Sequence, residues 1–180
     1  MALYSIGALD AVPVSTRRDL VAPPVLAALA AAGLSGVVGV VAVDPALSDT
    51  AATQEAYDLA PETLANCVVV GGRRDGQERV AACLVLASTR ADVNGTVRRR
   101  LDVRKASFLA REDAVARTGM EFGAITPVGM PAGWPVLVDA AVAASPLVVI
   151  GSGIRASKLV LRGADLAALE GVEVVEGLGV

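Results

Sequence analysis

The stretch from Gly119 to Asp139, GMEFGAITPVGMPAGWPVLVD, constrains the fold of this chain more than any other. Gly119, Gly123, Gly129 and Gly133 punctuate it, and Pro127, Pro131 and Pro135 stiffen the intervals between them. Glycine admits backbone conformations that a Cβ forbids and lets another chain segment or a ligand come close. Proline fixes φ and removes a donor, so this span is neither a helix nor an interior strand. A loop this long inside a compact domain is as a rule functional or disordered. Disorder is disfavoured here, because Met120, Phe122, Ile125, Val128, Met130 and Trp134 bring apolar surface that must be buried. The expected result is an ordered, glycine-lined wall that enters a short buried strand at Val136–Asp139.

A chain of 180 residues suits one domain with a sizeable core. Its hydrophobic fraction is 54 %, mostly Ala and Val, while aromatics reach only 3 %. Tight packing of small side chains follows, with few platforms on which single-stranded nucleic acid could stack. The net charge of −3 supplies no global field to hold a nucleic acid, so any such contact must be local. There is no histidine, which removes His-based triads, His proton shuttles and His-containing zinc sites. Cys67 and Cys83 lie in apolar, strand-like runs and read as buried reduced thiols, with neither a metal nor a disulfide expected. No cofactor is implied. The apolar segment Leu20–Leu34 is too short to span a bilayer and lacks the flanks of a signal peptide, so a cytoplasmic protein is expected.

Along the chain, residues 1–16 show little pattern. Pro23-Pro24 opens a helix that ends near Gly33 or Gly36, and the β-branched run Val37–Val43 reads as a buried strand. Asp49 caps a helix over Thr50–Leu59. Ala65–Val70 and Arg79–Ala87, either side of Gly71–Gly76, read as an antiparallel hairpin. A helix over Arg90–Leu101 with Asp92 as cap, weakened by Gly95, precedes a short strand at Ala106–Phe108. A second helix, Glu112–Thr118, stops at Gly119. After the central loop come strands at Val136–Asp139, Leu147–Ile150, Lys158–Leu161 and Val172–Val175, with a helix over Leu166–Glu170. Strands and helices mixed with hairpins indicate an α+β domain rather than a regular βαβ array.

The segment GMEFGAITPVG resembles the signature loop of the YbaK/EbsC family, free-standing aminoacyl-tRNA editing domains related to the editing insertion of bacterial prolyl-tRNA synthetase. The family reads G-x-x-x-G-G, an aliphatic residue, Ser or Thr, Pro, x, Gly. Gly119, Gly123, Ile125, Thr126, Pro127 and Gly129 match it, and Ala124 stands where the second glycine of the pair usually stands. WPVLVD matches the next strand, with Asp139 in place. Gly151-Ser152-Gly153-Ile154-Arg155 matches a later glycine turn and its arginine. The resemblance runs from about Ala51 to the C-terminus and implies a mixed, barrel-like curled sheet with surrounding helices.

It also implies hydrolysis, in trans, of the ester joining a wrong amino acid to tRNA. Two glycine loops could each present main-chain N–H groups as a concave anion nest, able to hold the terminal ribose or an oxyanion. Thr126 and Ser152 lie beside them as hydrogen-bonding hydroxyls, not nucleophiles, since nothing activates them. Asp139 either fixes the pocket wall or caps the turn after its strand. The family's best-known catalytic group is a lysine at the start of the strand that here reads ANCVVV, and Asn66 takes that position. Only Lys105 and Lys158 are lysines, and neither aligns with the missing one. An amide can position a carbonyl, but a charge-assisted hydrogen bond is roughly twice as strong as a neutral one. Arg98, Arg99, Arg100, Arg104 and Lys105 form the densest basic cluster, either a solvated face or a patch for the acceptor stem of tRNA. The expected partners are an aminoacyl-tRNA acceptor end and a synthetase, with no membrane; the oligomeric state is left open. The alternative to a deacylase is a silent binding module for an aminoacylated end, a nucleotide or a peptide.

Overall fold

In the computed structural model, which describes residues 1–180, ten strands form two five-stranded sheets. The first contains β1 (Tyr4–Ile6), β2 (Leu9–Pro13), β3 (Gly39–Ala42), β8 (Val148–Gly151) and β9 (Ser157–Leu161), in the order β1-β2-β3-β9-β8. The second contains β4 (Ala65–Arg74), β5 (Gln77–Leu86), β6 (Ala106–Phe108), β7 (Val136–Asp139) and β10 (Val172–Val175), in the order β10-β7-β5-β4-β6. A parallel bridge between Leu64 and Val149 brings the start of β4 against β8, so the two sheets curl into a half-barrel. The expected α+β architecture with a mixed, curled sheet is what forms: β7 lies parallel to β5 and β10, while the remaining pairings are antiparallel.

The helices are short and lie outside: α1 (Pro23–Ala31), α2 (Thr50–Ala56), α3 (Arg98–Leu101), α4 (Arg111–Thr118), α5 (Ala140–Ala143) and α6 (Gly163–Ala167). None is long and apolar enough to cross a membrane. A core of 20 buried residues fills the half-barrel, joining Val25 and Leu29 of α1 to Leu84, Val138, Ile150 and Leu159 of the strands. Separate apolar layers cover the outer faces. Val97, Leu101 and Leu178 lie over the second sheet, and Leu9, Leu59 and Leu64 lie against Val149 and Val160 of the first.

The structure departs from the sequence reading at several element ends, each for a local reason. The β4–β5 hairpin runs on through Gly71–Arg74 and turns only at Asp75-Gly76. Both turn residues have positive φ, 51° and 79°, the geometry that matches the twist of flanking strands in a two-residue loop. The helix expected over Arg90–Leu101 begins instead as a wide turn, Val93–Val97, and becomes α-helical only at Arg98. Asp92 caps it as expected, accepting from Gly95 and Thr96 N–H. A Cβ on Gly95 would fall 2.2 Å from the Asp92 carboxylate, so the glycine is part of the cap and not a weakness. Asp49 caps α2, but the helix stops at Ala56, before the left-handed Asp58. The last helix starts earlier, at Gly163, and the patternless N-terminus forms the β1–β2 hairpin.

Candidate functional site

Strand β4 has an open edge. β6 pairs with it only at Val70–Gly72, and the one backbone bridge to β8 is at Leu64, just before the strand begins. Leu109 N–H donates to Val69 O at 2.9 Å, and the gap left between these contacts exposes one side of Asn66, Cys67 and Val68. Ser48–Thr50, Phe108 to Arg111, and the glycine loop at Phe122–Gly123 close around the gap, enclosing a half-open pocket of about 520 Å³.

Of the residues singled out in sequence, Asn66, Gly123, Ile125 and Gly151 line this pocket. The two glycine loops lie side by side. Gly153 N–H donates to Ala124 O at 2.9 Å, and Glu121 N–H donates to Gly153 O at 2.9 Å. A Cβ on Gly151 would meet Ala124 O at 2.4 Å, so glycine here allows the two loops to touch. Contacts of this kind occupy some of the loop amides. Ala124 N–H is taken by Glu121 O, Gly153 N–H by Ala124 O and Thr126 N–H by the Met120 sulfur. The N–H groups of Gly123 and Ile125, which line the pocket, make no hydrogen bond and stay free beside the side-chain donors.

Other residues stand away from the opening. Thr126 is fully buried and its hydroxyl has no partner. Pro127 and Gly129 pack towards α1, in an apolar groove shared with Met130 and Trp134. Ser152 is buried behind the turn, bonded to Ser157 Oγ at 2.7 Å. Asp139 spends its carboxylate on Ala141 N–H at 2.9 Å and Gly179 N–H at 2.7 Å, capping α5 and tying down the C-terminus. Arg155 reaches Pro45 O at 2.9 Å and Phe122 O at 3.4 Å, while its own N–H donates to Glu121 Oε2. The basic cluster lies on α3 and the segment after it, outside the pocket. Arg98 and Arg99 bond back to Asn94 O and Thr96 Oγ1, Arg100 pairs with Glu173, and Arg104 lies 3.7 Å from Asp75.

Asn66 is fixed from across the pocket. The Thr50 hydroxyl donates to its Oδ1 at 2.8 Å, leaving the amide NH₂ for a ligand. Lys158, set aside in sequence because it does not align with the family's lysine, lines the same pocket and donates to Ser48 O at 2.8 Å. Burial pushes its ammonium below the usual lysine range; Arg155 adds to that, and Asp49 opposes it. Cys67 also faces the pocket, but burial holds its thiol far above the ordinary range, with Cys83 adding to it, so it stays protonated. Cys83 is pushed up to about 12 by burial alone. The β4–β5 register pairs Cys67 with Leu84 and Cys83 with Val68, which puts the two thiols on opposite faces of the hairpin.

Sequence reading missed Ser48, Asp49, Thr50, Phe108, Arg111 and Phe122 as pocket residues. Phe108 and Phe122 are 63 % and 47 % exposed at its mouth, and the Arg111 guanidinium lies 4.4 Å over the Phe122 ring. These are the chain's only two phenylalanines. An aromatic left in water beside a concave opening was the available signal, and it needs the fold to be seen.

No curated protein sequence matches the chain. Among solved structures, one described as a candidate trans-editing enzyme for prolyl-tRNA synthetase superposes with a TM-score of 0.72 at 22 % identity, covering 85 % of this chain and 93 % of that one. A hypothetical protein gives 0.75 at 16 % identity, covering 87 % and 99 %. A structure from a study of epitope grafting on scaffold proteins gives 0.73 at 22 %, covering 86 % and 95 %. At such identities these likenesses speak for the fold. The sequence speaks for the family: residues 44–169 match the model of the aminoacyl-tRNA editing domain, a span that takes in both glycine loops and every pocket residue named above, and the chain belongs to that family.

Proposed function

We propose that this protein hydrolyses, in trans, the ester of mischarged tRNA, accepting the aminoacylated 3′ end in the pocket at the open edge of β4. The observation that carries the reading is the convergence of Asn66, Gly123, Ile125 and Gly151 on one half-open pocket of about 520 Å³, within the ~300–1,000 Å³ typical of ligand sites. Asn66, held by Thr50, offers two N–H groups to a carbonyl or a ribose hydroxyl. Asp49, on the same wall, offers an acceptor to the substrate's α-ammonium. Phe108 and Phe122 offer ring faces to the terminal adenine, and a single base is within their reach although extended stacking is not. Water, or the neighbouring ribose hydroxyl, supplies the nucleophile, since no histidine and no thiolate is present to activate a side chain. Exposed basic residues at Arg98–Arg100, Arg104 and Lys105 contribute sequence-independent phosphate contacts. Editing of this kind removes small acyl groups that a synthetase cannot reject by binding alone, which places the protein beside translation in the cell.

The second reading is a silent module that binds the aminoacylated end without cleaving it. Asn66 favours it, because an amide brings no charge to an oxyanion. Purified protein incubated with a panel of mischarged tRNAs separates the two. Release of amino acid from at least one of them supports the hydrolase. Retention of a charged tRNA that none of the assays finds hydrolysed, lost in Asn66→Ala, supports the module.

A further inference from the structure

Strand β9 is buried along its whole length. Alternation sends Ser157, Leu159 and Leu161 to one face and Lys158 and Val160 to the other. On that second face Val160 packs in an apolar layer with Val149 and Leu64. Lys158 continues the same row, 6 % exposed, and reaches beyond the apolar layer into the pocket. Its only hydrogen-bond partner is the carbonyl oxygen of Ser48. An ammonium has three donors, so two remain unspent. Buried lysines are otherwise paired, because an uncompensated buried charge is costly. A second unspent group stands next to it: the Ser48 hydroxyl lines the same pocket, is buried, and has no partner. Of the glycine-loop amides, those of Ala124, Thr126 and Gly153 are occupied, while those of Gly123 and Ile125 are neutral donors that bring no charge. What this corner lacks is an acceptor oxygen that develops negative charge.

We infer that Lys158 is a catalytic residue, the cation that holds the substrate's ester carbonyl and meets the oxyanion formed on it, with the Ser48 hydroxyl as its companion donor. The inference rests on the hydrolase reading above. Water oxygen bonds to the carbonyl carbon, and the carbonyl π pair moves onto the oxygen facing Lys158. Collapse of this adduct breaks the bond from carbon to the ribose oxygen. The ribose oxygen takes up a proton released by the attacking water, leaving free tRNA and the amino acid. Lys158 donates hydrogen bonds throughout and transfers no proton. Its position on β9 supplies, from the opposite wall, the charge that Asn66 on β4 does not.

The test uses the full chain with Lys158→Met, similar in length but uncharged, and Lys158→Arg. On each mischarged tRNA that wild type deacylates, Lys158→Met should lower kcat by about 10²–10³-fold, as loss of an oxyanion donor does elsewhere. KM should rise about tenfold, less than kcat falls, since the contact is present in the ground state and strengthens in the transition state. Lys158→Arg should recover part of kcat. A kcat within about threefold of wild type overturns the inference, as does a loss confined to KM for one class of acyl group, which would make Lys158 a reader of side chains. If wild type is inert on every tRNA, the hydrolase reading fails, and binding decides Lys158 separately. The probes are alanyl-adenosine with an amide in place of the ester, and its reduced form with CH₂ in place of C=O. Lys158→Met should weaken the amide by about tenfold or more, the worth of a charged hydrogen bond, and leave the reduced form unchanged. Equal behaviour of wild type and variant towards the amide overturns the inference. Should Lys158→Met fail to fold, Lys158→Gln, which keeps a donor for Ser48 O, is read by the same criteria.

Discussion

The basic segment on α3 and the pocket beside β4 hold charge in opposite ways. On α3 and just after it, Arg98, Arg99, Arg100 and Arg104 are exposed and each is engaged locally, by a carbonyl, a hydroxyl or a carboxylate. In the pocket, Lys158 is buried and engaged by a single carbonyl, and the Asn66 amide and Ser48 hydroxyl keep free donors. Surface pairs in water are worth ~0–1 kcal/mol and are readily exchanged, whereas unspent donors in a low-dielectric corner are expensive and persist for a reason. Density of charge along a sequence therefore marks a surface. Hydrogen-bonding capacity left over where several groups converge on one opening marks a site.

The largest effect after Lys158 belongs to Asn66. Asn66→Ala should reduce deacylation by on the order of 10²-fold with the fold intact by circular dichroism; unchanged turnover would move the site off the β4 edge. At the mouth, Phe122→Ala removes one ring and the support beneath Arg111. Stacking of one base is worth about 1–3 kcal/mol, so KM should rise about 5–150-fold with little change in kcat, measured on whichever mischarged tRNA is cleaved. Neutralising the engaged cluster, Arg98, Arg99 and Arg100 together to Ala, should raise KM only about two- to fivefold at low salt and flatten its salt dependence. An effect rivalling that of Asn66→Ala would erase the contrast drawn here.

The finest distinction is in stability. Because burial depresses the Lys158 ammonium below its unfolded value of about 10.4, the unfolded chain binds more protons between the two pKa values. The cost of burying the charge is fully present below the folded pKa and is relieved as pH rises towards that of the unfolded chain. Denaturation of wild type minus that of Lys158→Met should therefore show wild type gaining stability as the pH is raised from neutral towards 10. Charged groups facing Lys158 from neighbouring elements are Arg155, which acts in the same direction, and Asp49, which opposes it; Arg111 lies across the pocket. A flat difference would mean the amine is not buried in solution.

Local signals carried most of the fold. Gly119 ended α4, Asp49 and Asp92 capped as expected, and the β-branched run at Ala65–Val70 formed the strand that bounds the pocket. What local signals missed was decided at a distance. β1 is three residues long and gains its identity only by pairing with β2. Lys158 is the clearest case: alternation sends it away from the main core, where a lysine would ordinarily meet water. The segment at Ser48, 110 positions earlier, covers that face instead. Nothing near Lys158 in the chain announces this cover. Which N–H groups of the glycine loops remain free is likewise decided at a distance, by how two loops separated by nearly thirty residues settle against each other.

Arg155 joins three segments that are remote in sequence: its side chain holds Pro45 O and Phe122 O, and its amide holds the Glu121 carboxylate. Glu121, Ala124 and Gly153 are linked in turn by main-chain bonds. These rims of the pocket should consequently open as one cooperative unit, not as independent loops. Amide protons at Glu121, Ala124 and Gly153 should exchange with solvent through a shared event and share one free energy of opening. Arg155→Ala should lower that energy for all three together, turning a pocket with fixed walls into one whose entrance fluctuates on the timescale of hydrogen exchange.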